Sequence, residues 1–534
     1  MSTLTETPFL PLSPTVCDAR ALASVTVEET APSTADSISA ESAHDQEAQP
    51  DLGERQYNYF SPFISERAVD EPRPLKVIYI GAGISGILAA IKFRQAVPDL
   101  DLTIYEKNIE LGGTWFENKY PCCACGKAGT IPGNVSKKAH QSSDILEYWK
   151  RVAHKYDVRK HIRFQSRCIG AHWNDSTGKL FVQIADEADP EGRIFEDSAD
   201  VLITETGLLN EWKWPAIPGL HGFKGKLLHS AAWDESYQIE QVAVIGAGSS
   251  GIQIVPALLD KVKGMDHYVR GKTWISSQHG GERLSARTAG KGGNYAYTED
   301  EKQVWSKDTA AYIQYRKELE LEMQTLYAKS QRGSKLLKEL LPGYPLLLNV
   351  ITNPIVSVDE RGITTSCGTH RPVDVIRAET YLDLATDGFP KFFQSLGPNS
   401  FQGAGNLLIM MEQIHSYLAQ LISRMAYDNI GLVEPRRAQV ERFTNYRDTY
   451  FDRTVYSADC ASWYKSSPLG ASLEERKKGR VTTLWPGSSL HCLKALEKVT
   501  WEDYELQPYD GNEFGWFGNG WTVAERQEQV DAAT

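Results

Sequence analysis

Short apolar runs recur along this chain, and several of them pass directly into a glycine-rich turn. Residues 75–80 and 242–245 are apolar runs rich in β-branched side chains, a pattern typical of strands that are covered on both faces of a parallel sheet. Period-2 runs predict further strands, and apolar positions at helical spacing predict helices. The additional strands are predicted at 161–173, 179–185 and 200–204, and the helices at 143–156 and 411–428.

Two of the predicted strands enter a G-x-G-x-x-G turn that is followed by a helical pattern. The first turn contains Gly81, Gly83 and Gly86, and the second consists of Gly246, Ala247, Gly248, Ser249, Ser250 and Gly251. In such a turn the first glycine makes the tight bend, the second lets a pyrophosphate approach the backbone, and the third lets the helix pack on its strand. The pyrophosphate lies at the helix N-terminus, where the helix dipole favours negative charge. Two copies predict an α/β fold with two Rossmann-like dinucleotide-binding domains.

The two turns differ at the end of the strand that follows each of them. The strand after the first turn ends in Glu106, and the strand after the second ends in Arg270. A carboxylate accepts hydrogen bonds from ribose hydroxyls and repels a 2′-phosphate, whereas a guanidinium attracts that phosphate. The first site is therefore predicted to bind FAD or NAD, and the second to bind NADP.

Most of the negative charge lies near the beginning of the chain. The net charge of the 534 residues is −12, and residues 1–71 alone carry 13 acidic and 3 basic side chains. Their Ser-, Pro- and Glu-rich composition predicts a disordered acidic tail. Because the remainder is nearly neutral, no nucleic acid is expected as a partner.

Apolar runs and cysteines bear on where the protein resides. No run approaches the roughly 18 apolar residues of a transmembrane segment, and the N-terminal residues lack the pattern of a secretory signal. The chain has 8 cysteines, but their spacing fits neither a disulfide framework nor a zinc site. These features predict reduced thiols, no metal and a cytoplasmic location.

Between the two turns, residues 223–234 read Phe-Lys-Gly-Lys-Leu-Leu-His-Ser-Ala-Ala-Trp-Asp. This segment resembles the F-x-G-x-x-x-H-x-x-x-W-[PD] fingerprint of the type I Baeyer–Villiger monooxygenases, which belong to the flavin-containing monooxygenases. The fingerprint positions are Phe223, Gly225, His229 and Trp233. Segments 112–121, 396–399 and 484–487 also resemble this family, and the likeness is closest to fungal members linked to secondary metabolism.

The resemblance implies a fold in which the FAD domain consists of two stretches that flank an inserted NADP domain. The expected division is a disordered acidic tail at 1–71, the first part of the FAD-binding domain at 72–215, and the linker fingerprint with the NADP-binding domain at 216–357. Residues 358–534 are expected to form the second part of the FAD-binding domain and the C-terminal region. For His229 the family suggests a hinge role between domains, and a purely structural role is the alternative.

The resemblance also implies a reaction, in which NADPH reduces FAD and oxygen from O2 is inserted beside a ketone of a secondary-metabolite pathway or transferred to a heteroatom. The flavin carries the chemistry, and the protein supplies orientation and electrostatics. The implied FAD-binding residues are Gly81, Gly83, Gly86, Glu106, Thr114, Trp115, Phe116, Glu117, Gly126 and Cys168. The implied NADP-binding residues are Ala124, Cys125, Gly126, Gly246, Ala247, Gly248, Ser249, Ser250, Gly251, Arg270 and Gly271.

The chain departs from the family pattern at four places. Cys125 is followed by Gly126 where the family has an aspartate, and Glu205 replaces a small apolar residue at a strand end. No arginine lies between Pro345 and Val350, where the family has one that acts in the active site, and the second A-T-G-F motif is missing after 374–376. Because fixed charge in a dry site is a large electrostatic contribution, loss of the arginine would weaken oxygenation.

Two alternatives to an active monooxygenase follow from these observations. The first is a catalytically impaired paralogue that keeps the fold, with or without FAD. The second is a flavin disulfide reductase, which shares the two dinucleotide domains but needs a C-x-x-x-x-C redox pair close to the first turn. Cys122, Cys123 and Cys125 do not have that spacing, which argues against the second alternative.

Overall fold

The computed structural model describes most of the chain after residue 63. The described residues are 64–123, 142–207, 210, 212, 214–215, 217–269, 286, 297–331, 348–351, 355–359, 362–365, 379–401, 406–457, 464–466 and 479–533. Apart from Ile64, they belong to one compact unit, Ser65–Thr534.

The strands of the described residues are numbered in chain order. They are β1 (Lys76–Ile80), β2 (Asp101–Tyr105), β3 (Ile162–Arg163), β4 (Ser166–Asn174), β5 (Lys179–Asp186), β6 (Ile194–Ala199), β7 (Val201–Thr204), β8 (Gln241–Ile245), β9 (Gly264–Tyr268), β10 (Leu348–Ile351), β11 (Ile355–Asp359), β12 (Gly362–Thr365), β13 (Phe392–Gln394), β14 (Ile430–Pro435), β15 (Lys465–Ser466), β16 (Arg480–Val481) and β17 (Tyr504–Pro508).

The α-helices of the described residues are numbered in the same way. They are α1 (Ile84–Ala96), α2 (Thr114–Glu117), α3 (Ser142–Lys155), α4 (Gly251–Leu258), α5 (Glu299–Lys307), α6 (Thr309–Gln331), α7 (Leu407–Tyr427), α8 (Arg437–Asp452), α9 (Ser489–Ala495) and α10 (Val523–Ala533).

The first glycine turn follows the carboxyl end of β1, the central strand of a five-stranded sheet with the order β13-β7-β1-β2-β3. All of its neighbouring strands run parallel. Four of the five residues of β1 are buried, as expected for a strand covered on both faces. Since β13 comes from the C-terminal third of the chain, this sheet is completed only after the residues of the second turn have been passed.

Different layers cover the two faces of this sheet. On one face the antiparallel sheet β4-β5-β6 contributes Val182 and Ile184 to a core with Ile78 and Leu202. On the other face α1 packs against α7, whose buried side chains recur at helical spacing. The first turn therefore connects a central strand to a helix that is itself held in place by α7.

The second glycine turn follows β8, in a parallel sheet with the order β10-β9-β8. Its helix α4 buries Ile254, Val255 and Leu258, and these residues pack with Met265 of β9. The strand–turn–helix–strand order of the first unit, which runs from β1 to β2, is thus repeated in the second unit, which runs from β8 to β9.

The elements predicted from apolar patterning are confirmed in their type and approximate position. Strands β5 and β7 coincide with the predicted runs at 179–185 and 200–204, and α3 and α7 coincide with the predicted helices. The run at 161–173 forms the two strands β3 and β4. Strand β6 was not predicted, and the residues of the N-terminal tail before Ile64 lie outside the described residues.

Candidate functional site

The first turn is closely packed by its own backbone. Gly81 has a φ of +108°, and a Cβ built on it would lie 2.5 Å from the carbonyl oxygen of Glu205. A Cβ on Gly86 would lie 2.2 Å from the carbonyl oxygen of Gly81. Both positions therefore require glycine: the first for the tight turn and the third for the close packing of the helix on its strand.

Helix α1 begins in a way that suits an anion. Its N-cap residue is Gly83, which offers no side-chain hydrogen bond, and the first turn of the helix has no acidic residue. An uncapped helix N-terminus provides N–H groups and a positive dipole end for a phosphate. The first turn therefore fits the pyrophosphate of a dinucleotide.

Glu106 points back to the first turn from the end of β2. Its Oε2 accepts a hydrogen bond of 2.7 Å from the N–H of Ala82, and its Oε1 accepts bonds of 2.9 and 2.8 Å from the backbone and side-chain nitrogens of Asn108. Burial raises the pKa of Glu106, while these hydrogen bonds oppose that shift. A carboxylate fixed at this place can accept hydrogen bonds from the ribose of a dinucleotide.

The segment 112–117 lies directly against the first turn. The N–H of Gly112 donates to the carbonyl of Ala82 at 2.9 Å. A Cβ on Gly113, which has a φ of +52°, would lie 3.1 Å from the Cα of Gly83. The short helix α2, formed by Thr114, Trp115, Phe116 and Glu117, begins at this contact. The structure thus brings the four predicted residues 114–117 to the turn.

A cleft of about 290 Å³ opens beside this segment. One wall comes from the end of β2 and from α2, and the other comes from the linker between the two turns. The lining residues are Lys107, Asn108, Phe116, Glu117, Lys119, Asn210, Trp212, Ala231, Ala232 and Trp233. Lys107 and Glu117 form an ion pair at 2.9 Å within it. The cleft therefore joins predicted FAD residues to the linker fingerprint.

His229 of the fingerprint lies in an aromatic cluster. Its ring stacks on Trp212 with centroids 4.4 Å apart and meets the edge of Trp214 at 5.6 Å. The N–H of Ala231 donates to its Nδ1 at 3.1 Å, and burial lowers the pKa of the imidazole. Because Nδ1 accepts this bond, the ring is neutral with its proton on Nε2. This environment suits a positioning role within the wall of the cleft that contains Trp212 and Ala231.

The other fingerprint residues are also explained by packing. Phe223 covers Gly225, where a Cβ would lie 2.5 Å from the phenyl ring, so that a larger residue would require this ring to move. Trp233 packs against the core cluster of the second unit. The fingerprint is therefore the segment where the linker is fixed against the second unit.

The second turn has the same shape, with fewer neighbours among the described residues. Gly246 has a φ of +107°, and a Cβ on Gly251 would lie 2.1 Å from the carbonyl oxygen of Gly246. That carbonyl also lies 2.9 Å from Nε2 of His267, a residue of β9. Helix α4 begins at Gly251; its N-cap residue Ser250 makes no side-chain capping bond, and its first turn has no acidic residue. This turn also fits a pyrophosphate.

Tyr120 connects the two units. Its ring packs in the core cluster with Val244, Ile254 and Val255 of the second unit, and its hydroxyl donates to Gln253 at 3.5 Å. Burial raises the pKa of Tyr120 to about 12. The chain that leaves α2 is thus anchored beside the second turn, which brings the two predicted nucleotide sites to one region.

Cys168 lies apart from the turn. Its Sγ donates to the carbonyl of Gly170 at 3.7 Å, and the side chain packs against the core between the two sheets. The backbone of β4 does reach the site, since the N–H of Ser166 donates to the carbonyl of Glu106 at 2.8 Å. A contact of Cys168 with a cofactor through its backbone stays a prediction.

Glu205 is the site residue whose role patterning alone did not reveal. It follows β7 directly, and its N–H donates to the carbonyl of Ile80 at 3.0 Å. Its Oε2 lies 3.0 Å from the hydroxyl of Tyr79, and that hydroxyl lies 2.9 Å from Nε2 of His415 on α7. The sequence showed only that a carboxylate stands where the resembled family has a small residue.

Some of the predicted residues lie outside the described residues. They are Ala124, Cys125, Gly126, Arg270 and Gly271, together with the segments where the family's aspartate, arginine and second A-T-G-F motif would fall. Within the described ranges, no three His, Cys, Asp or Glu side chains are grouped as a metal site requires. No helix in that part of the chain is long and apolar enough to cross a membrane.

The two linked nucleotide units, the uncapped helices and the intervening fingerprint define a class of flavoprotein. The profile of the flavin-binding monooxygenase-like family matches residues 75–283, which include both glycine turns and the linker. A relative named as an FAD-binding monooxygenase is 31% identical over 86% of this chain, so the similarity extends well beyond the residues of this profile. The chain belongs to this family of flavin-binding monooxygenases.

Individual relatives agree with this assignment. The FAD-binding monooxygenase tazF of Aspergillus terreus is 31% identical over 546 residues, covering 86% of this chain and 94% of the relative. The FAD-binding monooxygenase moxY of Dothistroma septosporum is 28% identical, covering 85% and 83%. A Baeyer–Villiger monooxygenase of Streptomyces coelicolor is 26% identical, covering 81% and 92%.

Solved structures share the fold. Cyclohexanone monooxygenase from Rhodococcus sp. Phi1 bound to NADP+ superposes with a TM-score of 0.58 at 19% identity, covering 82% of this chain and all of that protein. OTEMO in complex with FAD and NADP gives a TM-score of 0.63 at 20% identity, covering 81% of this chain and 100% of that one. The α/β architecture with two dinucleotide domains is thereby confirmed.

Proposed function

We propose that this chain is an FAD- and NADPH-dependent monooxygenase that inserts one oxygen atom of O2 beside the carbonyl of a small-molecule ketone, in the manner of a Baeyer–Villiger reaction in a secondary-metabolite pathway. The observation that carries the proposal is the pair of glycine turns joined through Tyr120 and the fingerprint at Trp233. Relatives named as FAD-binding and Baeyer–Villiger monooxygenases support it.

The first turn is proposed to hold FAD. The backbone from Gly81 to Gly86 would bind the pyrophosphate at the start of α1, and Glu106 would accept hydrogen bonds from the ribose. Gly113 lies close to Gly83 of the turn. Because α2 begins directly after Gly113, it would flank the bound cofactor. Bound FAD would supply the reaction with O2, and the chain would orient it and exclude water.

The second turn is proposed to hold NADPH, which would supply the hydride. The backbone from Gly246 to Gly251 would bind the pyrophosphate, and Arg270 would pair with the 2′-phosphate. Ala124, Cys125, Gly126 and Gly271 are proposed to contribute from segments next to the described residues. The position of Tyr120 against α4 supports a common site for both nucleotides.

The domain division follows from this assignment. Residues 72–215 and 358–534 would form the FAD-binding domain, and 216–357 would form the linker and the NADP-binding domain. Two contacts support this arrangement, namely the pairing of β13 with β7 and the packing of α7 on α1. Both join the C-terminal third of the chain to the sheet of the first turn.

The test uses the purified full-length protein. A flavin absorption spectrum that is bleached by NADPH under anaerobic conditions is expected, followed by ester formation from one member of a ketone panel with one atom of ¹⁸O from ¹⁸O2. Absence of flavin, or flavin that NADPH does not bleach, would contradict the proposal. Bleaching with hydrogen peroxide as the sole oxygen product across the panel would favour the impaired paralogue.

A further inference from the structure

A chain of three side chains, one partly and two fully buried, lies directly behind the first turn. The hydroxyl oxygen of Tyr79 is 3.0 Å from Glu205 Oε2 and 2.9 Å from His415 Nε2. Tyr79 and His415 are fully buried. The three residues come from β1, from the end of β7 and from α7, so that this chain of contacts crosses from the sheet to the helix that covers α1.

The hydrogen bonds of His415 restrict where the protons can be. Its Nδ1 lies 2.7 Å from the carbonyl oxygen of Met411, an obligatory acceptor, so Nδ1 carries a proton. If the ring is neutral, Nε2 is an acceptor and must receive the hydroxyl proton of Tyr79. Tyr79 then has no proton to give to Glu205, and the contact between them requires a proton on the carboxyl group.

Burial favours this neutral arrangement over the ion pair that would form if the proton moved from Glu205 to His415. It raises the pKa of Glu205 to about 7 and lowers the pKa of His415 to about 4. The protonated carboxyl group donates to Tyr79, Tyr79 donates to His415, and His415 donates to Met411. The hydroxyl of Tyr79 and both ring nitrogens of His415 are then satisfied, as buried groups require.

The carboxyl group of Glu205 faces the helix that begins at the first turn. The hydroxyl of Ser85, the second residue of α1, and that of Ser395, just after β13, both face it and lower its pKa. Neither hydroxyl makes a hydrogen bond of standard geometry. Since Ser85 lies between Gly83 and Gly86, the carboxyl group and the pyrophosphate site share one helix end.

We infer that Glu205 carries a proton whenever a dinucleotide pyrophosphate occupies the first turn, so that FAD binding at neutral and basic pH is coupled to the uptake of one proton from solvent. A carboxylate at the same helix end would repel the phosphates through a poorly screened interior. This inference rests on the proposed assignment of FAD to the first turn.

Other charged groups also lie near this chain of contacts. Lys92 of α1 forms an ion pair of 3.1 Å with Glu412 of α7, and its charge further lowers the pKa of His415. Glu106 is the second carboxyl group at the turn, and burial raises its pKa as well. Any test must therefore separate proton uptake by Glu205 from proton uptake by Glu106.

The experiment measures the Kd of FAD for the full-length protein stripped of flavin, by quenching of flavin fluorescence between pH 6 and pH 9. For the wild type, the Kd is expected to be constant near pH 6 and to rise by up to about tenfold per pH unit above pH 7. For Glu205→Gln, which keeps the size but cannot ionise, a constant Kd is expected. Glu205→Ala is a second variant with the same expectation.

One further measurement and one control variant complete the design. Calorimetric titration at pH 8 in two buffers of different ionisation enthalpy should show uptake of about one proton by the wild type and none by Glu205→Gln. Asp383→Asn is the matched control, because Asp383 is a fully buried carboxyl group whose pKa burial also raises. It should leave the pH profile of the wild type unchanged.

The outcomes separate this inference from the proposed function. A wild-type Kd that does not change with pH overturns the inference while leaving FAD binding intact. A pH dependence that persists in both Glu205 variants assigns the proton to another group, such as Glu106, and also overturns it. Failure of the wild type to bind FAD at any pH contradicts the proposed function and the inference together.

Discussion

The two glycine turns share a sequence pattern but differ in how the rest of the chain surrounds them. A Cβ built on Gly81 would lie 2.5 Å from the carbonyl of Glu205, whereas a Cβ on Gly246 meets no atom within 4 Å among the described residues. The third glycines are alike, since a Cβ on Gly86 or Gly251 would lie 2.2 or 2.1 Å from the first carbonyl of its own turn. The tighter packing around Gly81 than around Gly246 is therefore caused by the neighbouring strand and not by the glycine motif.

This difference has a structural origin. The first turn leaves a central strand of a five-stranded sheet, with β7 and β2 on its two sides, whereas the second turn leaves β8, the last strand of its sheet among the described residues. A turn on a central strand meets the backbone that follows the neighbouring strand, and here that backbone carries Glu205. A site for a tightly held cofactor gains preorganisation from such packing, while an open edge suits a cofactor that must enter and leave.

The largest expected effect comes from placing alanine at the first glycine of each turn. Gly246→Ala should cost roughly 1–3 kcal/mol in the free energy of unfolding, because its φ of +107° strains any L-residue. Gly81→Ala should cost roughly 1–3 kcal/mol more, because the new methyl group also overlaps the Glu205 carbonyl. Urea unfolding of the two flavin-free variants measures the difference. Equal losses would show that the neighbouring strand does not distinguish the turns.

The second prediction concerns Arg270, the side chain at the second turn that is proposed to discriminate NADPH from NADH. Arg270→Ala should raise the Kd of NADPH by roughly 10- to 100-fold, since a charge-assisted hydrogen bond to phosphate is worth about 1.5–3 kcal/mol. The Kd of NADH and the retention of FAD should hardly change. Stopped-flow reduction of the flavin by each nucleotide measures both affinities. An equal loss for NADH and NADPH would show that Arg270 does not contact the 2′-phosphate.

Much of this architecture could be predicted from local sequence. Apolar runs ending in glycine fixed both turns, and helical spacing located α3 and α7, because these signals lie within a few adjacent residues. Strand β6 was missed because its sequence alternates weakly and contains Glu196 and Asp197. Asp197 belongs in the strand because it accepts a hydrogen bond of 2.8 Å from Tyr105 and pairs with Lys76. Such tertiary partners cannot be read from a single segment.

The chain of Tyr79, Glu205 and His415 was unpredictable for the same reason. Glu205 could be recognised as a misplaced charge after a buried strand, but its partners come from two distant segments. Only the pairing of β1 with β7 and the packing of α7 on α1 bring the three together. In the linker, likewise, the fingerprint predicted His229 but not the stacking of Trp212 on it.

The third prediction tests whether the carboxyl group of Glu205, beside the first turn, makes the stability of the folded protein fall as the pH rises. Because burial raises the pKa of Glu205 from its ordinary value to about 7, the folded chain binds this proton more tightly than the unfolded chain does. The resulting stability is present at low pH and is lost as the pH rises to about 7. Glu205→Gln should therefore gain about 2 kcal/mol over the wild type between pH 5 and pH 8 in the flavin-free protein.

Urea unfolding at the two pH values measures this gain. A Glu205→Gln variant whose stability follows the wild type from pH 5 to pH 8 would contradict the buried, protonated carboxyl group.

The smallest effect on folding, and the sharpest separation of folding from binding, is expected at the second glycine of each turn. A Cβ on Gly83 would lie 3.8 Å from the Cα of Gly113, an ordinary contact, and a Cβ on Gly248 meets no described atom within 4 Å. Alanine at either place should change the free energy of unfolding by no more than about 0.5 kcal/mol, and it restricts the unfolded chain slightly.

Cofactor binding should nevertheless suffer, because the second glycine serves the approach of the pyrophosphate and not the packing of the chain. Gly83→Ala should lower the fraction of protein purified with flavin, whereas Gly248→Ala should retain flavin and require about tenfold more NADPH for half-maximal bleaching. Each variant is the control for the other, since the two have the same chemistry in different turns. If Gly248→Ala loses flavin, or if Gly83→Ala impairs only NADPH, the assignment of the two cofactors to the two turns is reversed.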